Sequence, residues 1–391
     1  MRFEISIFQT LLKPLDRRAF AASVARHDGD AYDKSFNSWD HLVALVFAQL
    51  SGAPSLRALE TAWNASAHHH YHLGAGKLAR STLADANARR PADVFAETFA
   101  ALSKHAERAL KREGAAMIRL IDSTPIPLGE MCAWARWNGR TRGLKMHVVH
   151  DPGADHPRRV EITHANVNDV EIGRQTSIEA GATYVFDKAY CDYGWWAKIH
   201  AGKGFFVTRP KTNARFTTLA RRPLGEVKGE AGGGTFEIFE DADVKLASKG
   251  DSKLDMPLRL VRVRRANGKV IAILSNDVTS SALDIALLYK TRWDIELLFR
   301  WLKQHLKLRA FLGRSENAVR LQTLAAMIAF LLLRIAARAH RLALPALRFA
   351  ELAGACLFVR KPIARIDKPP DVNASKPRPK HHPNQIELCY G

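Results

Sequence analysis

The stretch YKTRWDIELLFRWLK carries the residues of this chain whose types and spacing are most suited to chemistry. Tyr289, Arg292, Glu296 and Lys303 follow one another at intervals of three, four and seven residues. On a helix, which turns by about 100° per residue, the four positions fall within an arc of about 60°. One carboxylate is then held among cations and aromatic rings, as a metal ion beside a polyanion would require. A salt-bridged amphipathic helix would give the same pattern.

Two further residues, Trp293 and Arg300, border this arc. Trp293 is a candidate to stack on an unpaired base, and Arg300 is a candidate to bind DNA phosphate. The opposite arc is apolar and predicts a face packed on the core, formed by Leu287, Ile295, Leu298, Leu302 and Leu306. The stretch is therefore predicted to be one helix with a core face and a charged face.

Two aspartates upstream, Asp122 and Asp187, each end a short apolar run, MIRLID and TYVFD. We expect strands there, whose carboxyl ends place both acids in one crevice. With Glu296 they would form an oxygen-only cluster, which implies a hard divalent cation because crowded carboxylates repel one another. Two such ions could activate an attacking oxygen and stabilise the leaving one in a phosphoryl displacement. Each aspartate could instead be only a local cap, of a turn or of a helix.

The surrounding pattern predicts an α/β chain that begins with a helical unit. Residues 1–110 are typical of helices, and Ser55 is predicted to cap the second helix of a helix-turn-helix or of an ordinary helical hairpin. Residues 111–215 alternate short strands with helices, which predicts a mixed sheet. We predict a β-rich segment over 216–278, a return to the first unit over 279–345, and a helical and basic tail over 346–391.

The net charge and the hydropathy of the chain limit the classes of partner that it could bind. The chain has 59 Lys and Arg against 39 Asp and Glu, a net charge of +20, which attracts nucleic acid or anionic membrane. The longest apolar run, 324–333, is much shorter than the roughly 20 residues that span a bilayer, so we expect a buried helix and no membrane partner. The four cysteines form no CxxC pair, which indicates a reduced, cytoplasmic protein. With DNA as its partner, we expect it to be nucleoid-associated.

Six segments together resemble a known family. These are IDSTPI at Asp122, DKAYCDYGWW at Asp187, FFVTRPKTNAR after it, the Y-x2-R-x3-E-x6-K set at 289–303, and two flanking stretches at 80–90 and 304–320. They are similar to the DDE transposases of bacterial insertion sequences, in the branch that is named for the fourth insertion sequence. Lys188 stands where related chains often carry Arg.

The resemblance implies an RNase H-like catalytic core with a β-rich insertion between Asp187 and Glu296. It implies that Asp122, Asp187 and Glu296 are the catalytic, metal-binding triad, with Mg²⁺ as the cofactor and Mn²⁺ able to replace it. Tyr289, Arg292 and Lys303 would then contact phosphates near the cleaved end. The partners would be double-stranded DNA, both transposon ends and target, bound by a homodimer because two ends must be cut together.

The function expected is cut-and-paste transposition, in which the enzyme binds terminal inverted repeats, cleaves strands and transfers them, with a hairpin intermediate implied by the branch. Two alternatives stay open on the residues alone: an RNase H-like nuclease without strand transfer, and an inactive DNA-binding relic. A glycosidase built on Asp122 and Glu296 would leave the cationic face without a role. The histidines at 68–70 and 72 are expected to serve packing more than zinc binding.

Overall fold

The computed structural model describes residues 5–31, 35–110, 116–129, 132–225, 228–231, 234–246, 256–305 and 311–368. Its helices before the first strand are α1 (Ile7–Leu12), α2 (Arg17–Arg26), α3 (Ser38–Ser51), α4 (Leu56–Asn64), α5 (His70–Leu73), α6 (Arg80–Arg89) and α7 (Ala92–Leu110). The later helices are α8 (Asp169–Gly173), α9 (Tyr193–Ala201), α10 (Ala282–Thr291), α11 (Trp293–His305), α12 (Glu316–Ala339) and α13 (Ala346–Ala355).

One mixed sheet of eleven strands organises the rest of the described chain. The first six strands are β1 (Ile118–Pro127), β2 (Arg136–Trp137), β3 (Arg142–Asp151), β4 (His156–His164), β5 (Thr183–Phe186) and β6 (Phe205–Thr208). The other five are β7 (Phe216–Arg221), β8 (Lys228–Ala231), β9 (Gly234–Leu246), β10 (Leu258–Arg265) and β11 (Val270–Ser275).

In the strand order, β1, which carries Asp122, lies between β3 and β5. β3 pairs antiparallel with β1 and with β4, whereas β5 pairs parallel with β1 and β6 pairs parallel with β5. The strands predicted between 216 and 278 are present, and they continue the same sheet because β11 pairs antiparallel with β6. The predicted α/β class with a mixed sheet and N-terminal helices is confirmed.

Helices cover both faces of this sheet. On one face, the N-terminal helices surround α12 and share a single hydrophobic core with strand residues such as Leu120 and Val185. On the other face, α9 buries Trp195 and Trp196 against Phe186 and Phe206. Both tryptophans are fully buried there and serve helix packing. The unit boundaries at 110, 215, 278 and 345 stay a prediction.

Helix α12 contains the apolar run 324–333, which is buried as expected. By length and composition it could cross a membrane, but 89% of its most apolar window is buried inside the fold, as in a core helix. The pair α3 and α4 passes the same test only as a span bent by 101°. The burial of α12 therefore supports the interpretation as a core helix.

The helical hairpin α3–α4 follows the local signals of its sequence. Asn37 and Asp40 form a capping box at the start of α3, and Gly52, with a φ of 68°, ends it in the left-handed region. Ser55 caps α4 through the Ala58 N–H, as predicted. DNA reading by this pair stays a prediction.

Two local expectations are wrong. Ser81 has the side chain of a typical N-cap, but α6 already begins at Arg80 with Ala79 as its N-cap. The stretch DVEIGRQTSIEAG predicts a helix over 169–181, but α8 ends at Gly173. The basic tail stays a prediction, because it falls largely on residues 369–391, which lie outside the described residues, as does Cys389.

Candidate active site

Asp122 and Asp187 are placed side by side by the register of two parallel strands. β1 pairs with β5 from Ile118↔Thr183 to Ile121↔Phe186, so the next residues along both strands are the two aspartates. The expectation that Asp122 ends its strand is wrong, because β1 continues to Pro127 in its pairing with β3. What ends at Asp122 is the pairing with β5, and this opens the crevice there.

The side-chain alternation of β1 decides which face carries the chemistry. Leu120 and Ile126 belong to the core under the N-terminal helices, so Asp122 and Thr124 share their face. Ser123 points to the other face, where its hydroxyl donates to Asp169 at 2.8 Å. The face with Asp122 is the face on which α11 packs.

The charged stretch does not form one uninterrupted helix, which corrects the sequence-based expectation. α10 ends at Thr291 and α11 begins at Trp293, with Arg292 between them. The predicted core face holds in α11, where Ile295, Leu298 and Leu302 are buried. Leu287 is only half-buried, and Leu306 lies outside the described residues. The break lets Arg292 point into the crevice.

Arg292 joins two of the three candidate acids. Its Nη1 lies 3.1 Å from Oδ2 of Asp122, and its Nη2 lies 2.6 Å from Oε1 of Glu296. Its Nε is buried without a hydrogen-bond partner. The structure therefore brings Asp122 and Glu296 to the two sides of one guanidinium group.

Lys303 reaches the same strand from the next turns of α11. Its Nζ donates to Oγ1 of Thr124 at 2.5 Å. A cleft opens between β1 and α11, lined by Asp122, Ser123, Thr124, Glu296, Phe299, Arg300, Lys303 and Gln304. Four of the predicted site residues thus line one cleft, which is open to solvent beside the exposed Arg300.

Tyr289 and Trp293 lie at different depths. Tyr289 is buried on α10, with its ring 5.9 Å from the guanidinium carbon of Arg292. Trp293 is 50% exposed at the start of α11 and stays available for a contact with a ligand. The tyrosine can therefore support Arg292, whereas the tryptophan can meet a base.

Both aspartates also make the local contacts that a simple cap would make. Asp122 accepts from the Ser123 N–H at 2.8 Å, and Asp187 accepts from the Lys188 N–H at 2.7 Å. These contacts hold the carboxylates in place without excluding a further role. The strand register of β1 and β5 places both aspartates at the crevice whether or not they make these local hydrogen bonds. The two roles are therefore compatible.

Burial and neighbouring charges both act on the ionisable groups of this crevice. Burial is the main cause that raises the pKa of the Asp122 carboxyl to about 6; the charges of Glu296 and Asp187 add to it, whereas Ser123 and Arg292 act in the opposite direction. Burial disfavours the Arg292 cation, yet Tyr289, Asp122 and Glu296 raise its pKa above the ordinary value. The two carboxylates thus stabilise the positive charge of Arg292 between them.

The donor set fits a hard divalent ion in its chemistry, because Asp122, Asp187 and Glu296 offer only carboxylate oxygens. Among the described residues, no three His, Cys, Asp or Glu side chains lie close enough together to hold a metal ion. The guanidinium of Arg292 lies instead between Asp122 and Glu296. This space accepts positive charge, but a metal ion there would have to displace Arg292.

The raised pKa of Asp122 predicts a pH-dependent effect of Asp122→Asn on stability in metal-free protein. A carboxyl whose pKa rises on folding favours the fold while protonated and opposes it once ionised above about pH 6. Asparagine mimics the protonated form. The variant should therefore gain on the order of 2–3 kcal/mol in free energy of unfolding over wild type between pH 4 and pH 8.

Urea denaturation in EDTA across this pH range measures the difference. Glu179→Gln is the matched control of opposite sign, because its hydrogen bond to Arg119 lowers the pKa of Glu179. That variant should lose stability relative to wild type as the pH rises. A difference between Asp122→Asn and wild type that does not change with pH would contradict the assigned burial of Asp122.

Sequence reasoning missed Arg209, which directly follows β6. Burial and the charge of Asp187 raise the pKa of the Tyr289 hydroxyl, and Arg209 acts against them, so Arg209 lies near this edge of the crevice. The signal was available, since Arg209 follows a parallel strand just as Asp187 does. Thr124 was missed too, because only the fold brings it to Lys303.

The histidines of the N-terminal unit serve packing, as expected. His70 is buried, stacks on Trp63 at a centroid distance of 4.2 Å, and bonds to the Trp63 carbonyl at 3.0 Å. His69 stacks on Phe358. His147 is held in the sheet by its Nε2, 2.9 Å from Oγ1 of Thr163, while its Nδ1 is buried without a hydrogen-bond partner.

Comparison with known proteins gives two family matches. Residues 113–332, more than half of the chain, match the family described as transposase DDE domain. Residues 4–76 match a domain of unknown function, DUF4372. The first match covers Asp122, Asp187 and Glu296, and the second covers most of the helices before α6.

Three relatives carry transposase names. The transposase y4zB of Sinorhizobium fredii is 58% identical over 308 residues, which is 79% of this chain and 85% of the relative. A transposase for the insertion sequence element IS5377 of Geobacillus stearothermophilus is 31% identical over 56% of each chain. A transposase for the element IS4SA of Synechocystis is 24% identical over 65% of this chain and 71% of the relative.

A solved structure also matches over most of the chain. It is the piggyBac transposase synaptic complex with hairpin DNA, with a TM-score of 0.47 and 11% identity. The match covers 94% of this chain and 83% of that one.

Proposed function

This chain belongs to the transposase DDE domain family, and from this premise we propose that it cuts the ends of an insertion sequence and joins them to new DNA. As a DNA transposase of this family it is a phosphoryl-transfer enzyme. The finer proposal is that it binds terminal inverted repeats, frees their 3′ strand ends and transfers them, with a hairpin as the intermediate of excision.

One observation carries this proposal. Asp122 and Asp187 are the adjacent residues that follow the paired part of β1 and β5, and Arg292 links Asp122 to Glu296. Asp122 thus has one acid after the neighbouring strand and a second acid on α11, held by the same guanidinium. We propose that these three acids are the catalytic residues of the DDE domain.

We propose that the catalytic core is RNase H-like. Two features support this: the antiparallel run β1, β3, β4 on one side, and the parallel strands β1, β5, β6 on the other. The strands β7 to β11 lie between the second acid and Glu296 in sequence. We propose that they are the insertion into this core, fused to its edge through β11.

We propose Mg²⁺ as the cofactor, with Mn²⁺ able to replace it, and a pair of ions as the working set. Asp122, Asp187 and Glu296 would hold them. The bound ions would activate the attacking oxygen and stabilise the leaving one. Arg292 would first leave the space between Asp122 and Glu296, and its guanidinium would then be free to bind a phosphate of the cleaved strand.

The experiment that tests the function compares reaction products. The protein would be incubated in Mg²⁺ with linear DNA that carries the end of its own element, and products would be separated on denaturing gels. Cleaved strands together with joined or hairpin products would support a transposase. Cleaved strands alone would favour a nuclease, and binding without cleavage, the same with and without Mg²⁺, would favour an inactive relic.

The cations of α11 are proposed to hold DNA phosphates, which predicts a change in salt dependence. Arg300→Ala and Lys303→Ala should each lower the slope of log K against log salt by about one, since each removes one phosphate contact. Lys198→Ala is the matched control, because Lys198 is exposed on α9, which packs on the other face of the sheet. Equal salt slopes in all three variants would indicate that the cations of α11 do not contact DNA and only form a charged helix face.

We propose that the active form on DNA is a homodimer, since two ends must be cut together. Without DNA we expect a monomer. Light scattering of the protein alone and with end DNA measures both states. Complete cleavage of an end by protein that stays monomeric on DNA would contradict this prediction.

A further inference from the structure

A basic turn outside the acidic cleft has no role in the function proposed so far. Residues 136–142, RWNGRTR, form a tight β-hairpin between β2 and the first residue of β3. We call them the basic hairpin. It carries three arginines and one tryptophan within seven residues.

The hairpin is held rigidly at its tip and its base. At the tip, the Asn138 side chain accepts from the N–H groups of Arg140 at 2.9 Å and Thr141 at 2.7 Å. At the base, a Cβ on Gly143 would lie 2.1 Å from the Ile126 carbonyl oxygen. Only glycine therefore permits this close approach of β3 to β1. A rigid turn presents its side chains at little entropic cost.

The side chains of the hairpin face solvent. Trp137 is 59% exposed, and Arg136, Arg140 and Arg142 are all exposed. Within the described ranges, none of these three arginines forms an ion pair, whereas Arg119 binds Glu179 at 2.8 Å. The hairpin therefore offers a ligand both a flat aromatic ring and unneutralised positive charge.

The hairpin lies on the same edge of the sheet as the candidate acids. Along β3, Val148 pairs with Asp122 and Gly143 pairs with Pro127 at the base of the hairpin. A separation of five residues along a strand spans about 17 Å. DNA rises about 3.4 Å per base pair, so a duplex end at the cleft would pass the hairpin about five base pairs away.

We infer that the basic hairpin is a second DNA-binding element, which clamps the strand next to the cleavage site. Arg136, Arg140 and Arg142 bind backbone phosphates, because guanidinium groups pair with phosphate oxygens in a fixed geometry. Trp137 stacks on an unpaired base exposed near the cut, because an indole ring supplies a large flat surface for any base. This inference rests on the proposed function for the position of the cut.

Binding measurements on the full chain test the inference separately from catalysis. All variants would carry Glu296→Gln in EDTA, so that DNA stays intact. The probes are a fully paired duplex and the same duplex with a short unpaired segment. Binding to each probe would be measured by fluorescence anisotropy at increasing KCl. Arg140→Ala should lower the salt slope by about 0.9 on both probes, whereas the control Lys198→Ala leaves it unchanged.

Substitutions of Trp137 distinguish base stacking from phosphate binding, because they should affect only the probe with unpaired bases. Trp137→Ala should weaken binding about tenfold on the probe with unpaired bases and leave the fully paired duplex unaffected, and Trp137→Phe should restore most of the loss. An unchanged slope for Arg140→Ala overturns the inference, as does an effect of Trp137→Ala that is equal on both probes. Thermal unfolding of each variant checks that the fold is intact.

The two proposals fail in different ways. If the wild-type chain never cuts DNA in Mg²⁺ but the hairpin variants lose binding as expected, the proposed function fails and the binding element stands. If the wild type cuts and joins DNA while the hairpin variants bind normally, the inference about the hairpin fails alone.

Discussion

Glu296→Gln is expected to lower strand cleavage by at least about 10³-fold while the protein still binds DNA. The amide keeps the shape of the side chain, but it removes the charge that would hold a metal ion against a phosphate. Several kcal/mol of charge stabilisation depend on such a ligand, and each 1.36 kcal/mol changes a rate about tenfold. Binding should be equal or tighter, because one negative charge beside the DNA is removed.

Glu179→Gln is the matched control for this prediction. Glu179 is 37% exposed and binds Arg119 at 2.8 Å, much as Glu296 is 30% exposed and binds Arg292 at 2.6 Å. It lies near the beginning of β1, beside Arg119, whereas Asp122 follows the part of β1 that pairs with β5. Single-turnover cleavage and filter binding should separate the two variants. Equal cleavage by both variants, or loss of DNA binding in a folded Glu296→Gln protein, would remove the acids from the catalytic role.

Removal of divalent metal is expected to abolish cleavage, and Mg²⁺ or Mn²⁺ should each restore it. The proposed ligands Asp122, Asp187 and Glu296 offer only carboxylate oxygens, which suit hard ions. Ca²⁺ should bind and stall the reaction, because its longer and looser coordination misplaces the attacking oxygen. A displacement of about 1 Å can cost about 10²-fold in rate.

The metal series would be measured as initial cleavage rates after dialysis against EDTA, with metal binding followed by calorimetry. Arg292→Ala provides a second test, since the guanidinium between Asp122 and Glu296 competes with the metal. This variant should bind Mn²⁺ more tightly than wild type in the absence of DNA. Recovery of activity with Zn²⁺ but not Mg²⁺ would point away from an all-carboxylate site.

The sequence by itself determined the elements and the candidate residues of this protein. Short apolar runs predicted strands that end at Asp122 and Asp187; β5 ends there as expected, at Phe186, whereas β1 continues to Pro127. The spacing of Tyr289, Arg292, Glu296 and Lys303 predicted one helix, which holds only for Glu296 and Lys303 on α11. The family resemblance named the acids. Local signals also set Ser55 as the cap of α4.

Only the tertiary structure decided how these residues meet. Pairing between β1 and β5 is a long-range choice of register, and it alone places Asp122 beside Asp187. The break at Arg292 could not be read from helical periodicity, because every residue around it is compatible with a helix. It arises where α10 and α11 must follow different surfaces, and it turns Arg292 inward to bridge two acids. Thr124 entered the site in the same way, since its contact with Lys303 joins a distant strand and helix and leaves no local mark in the sequence.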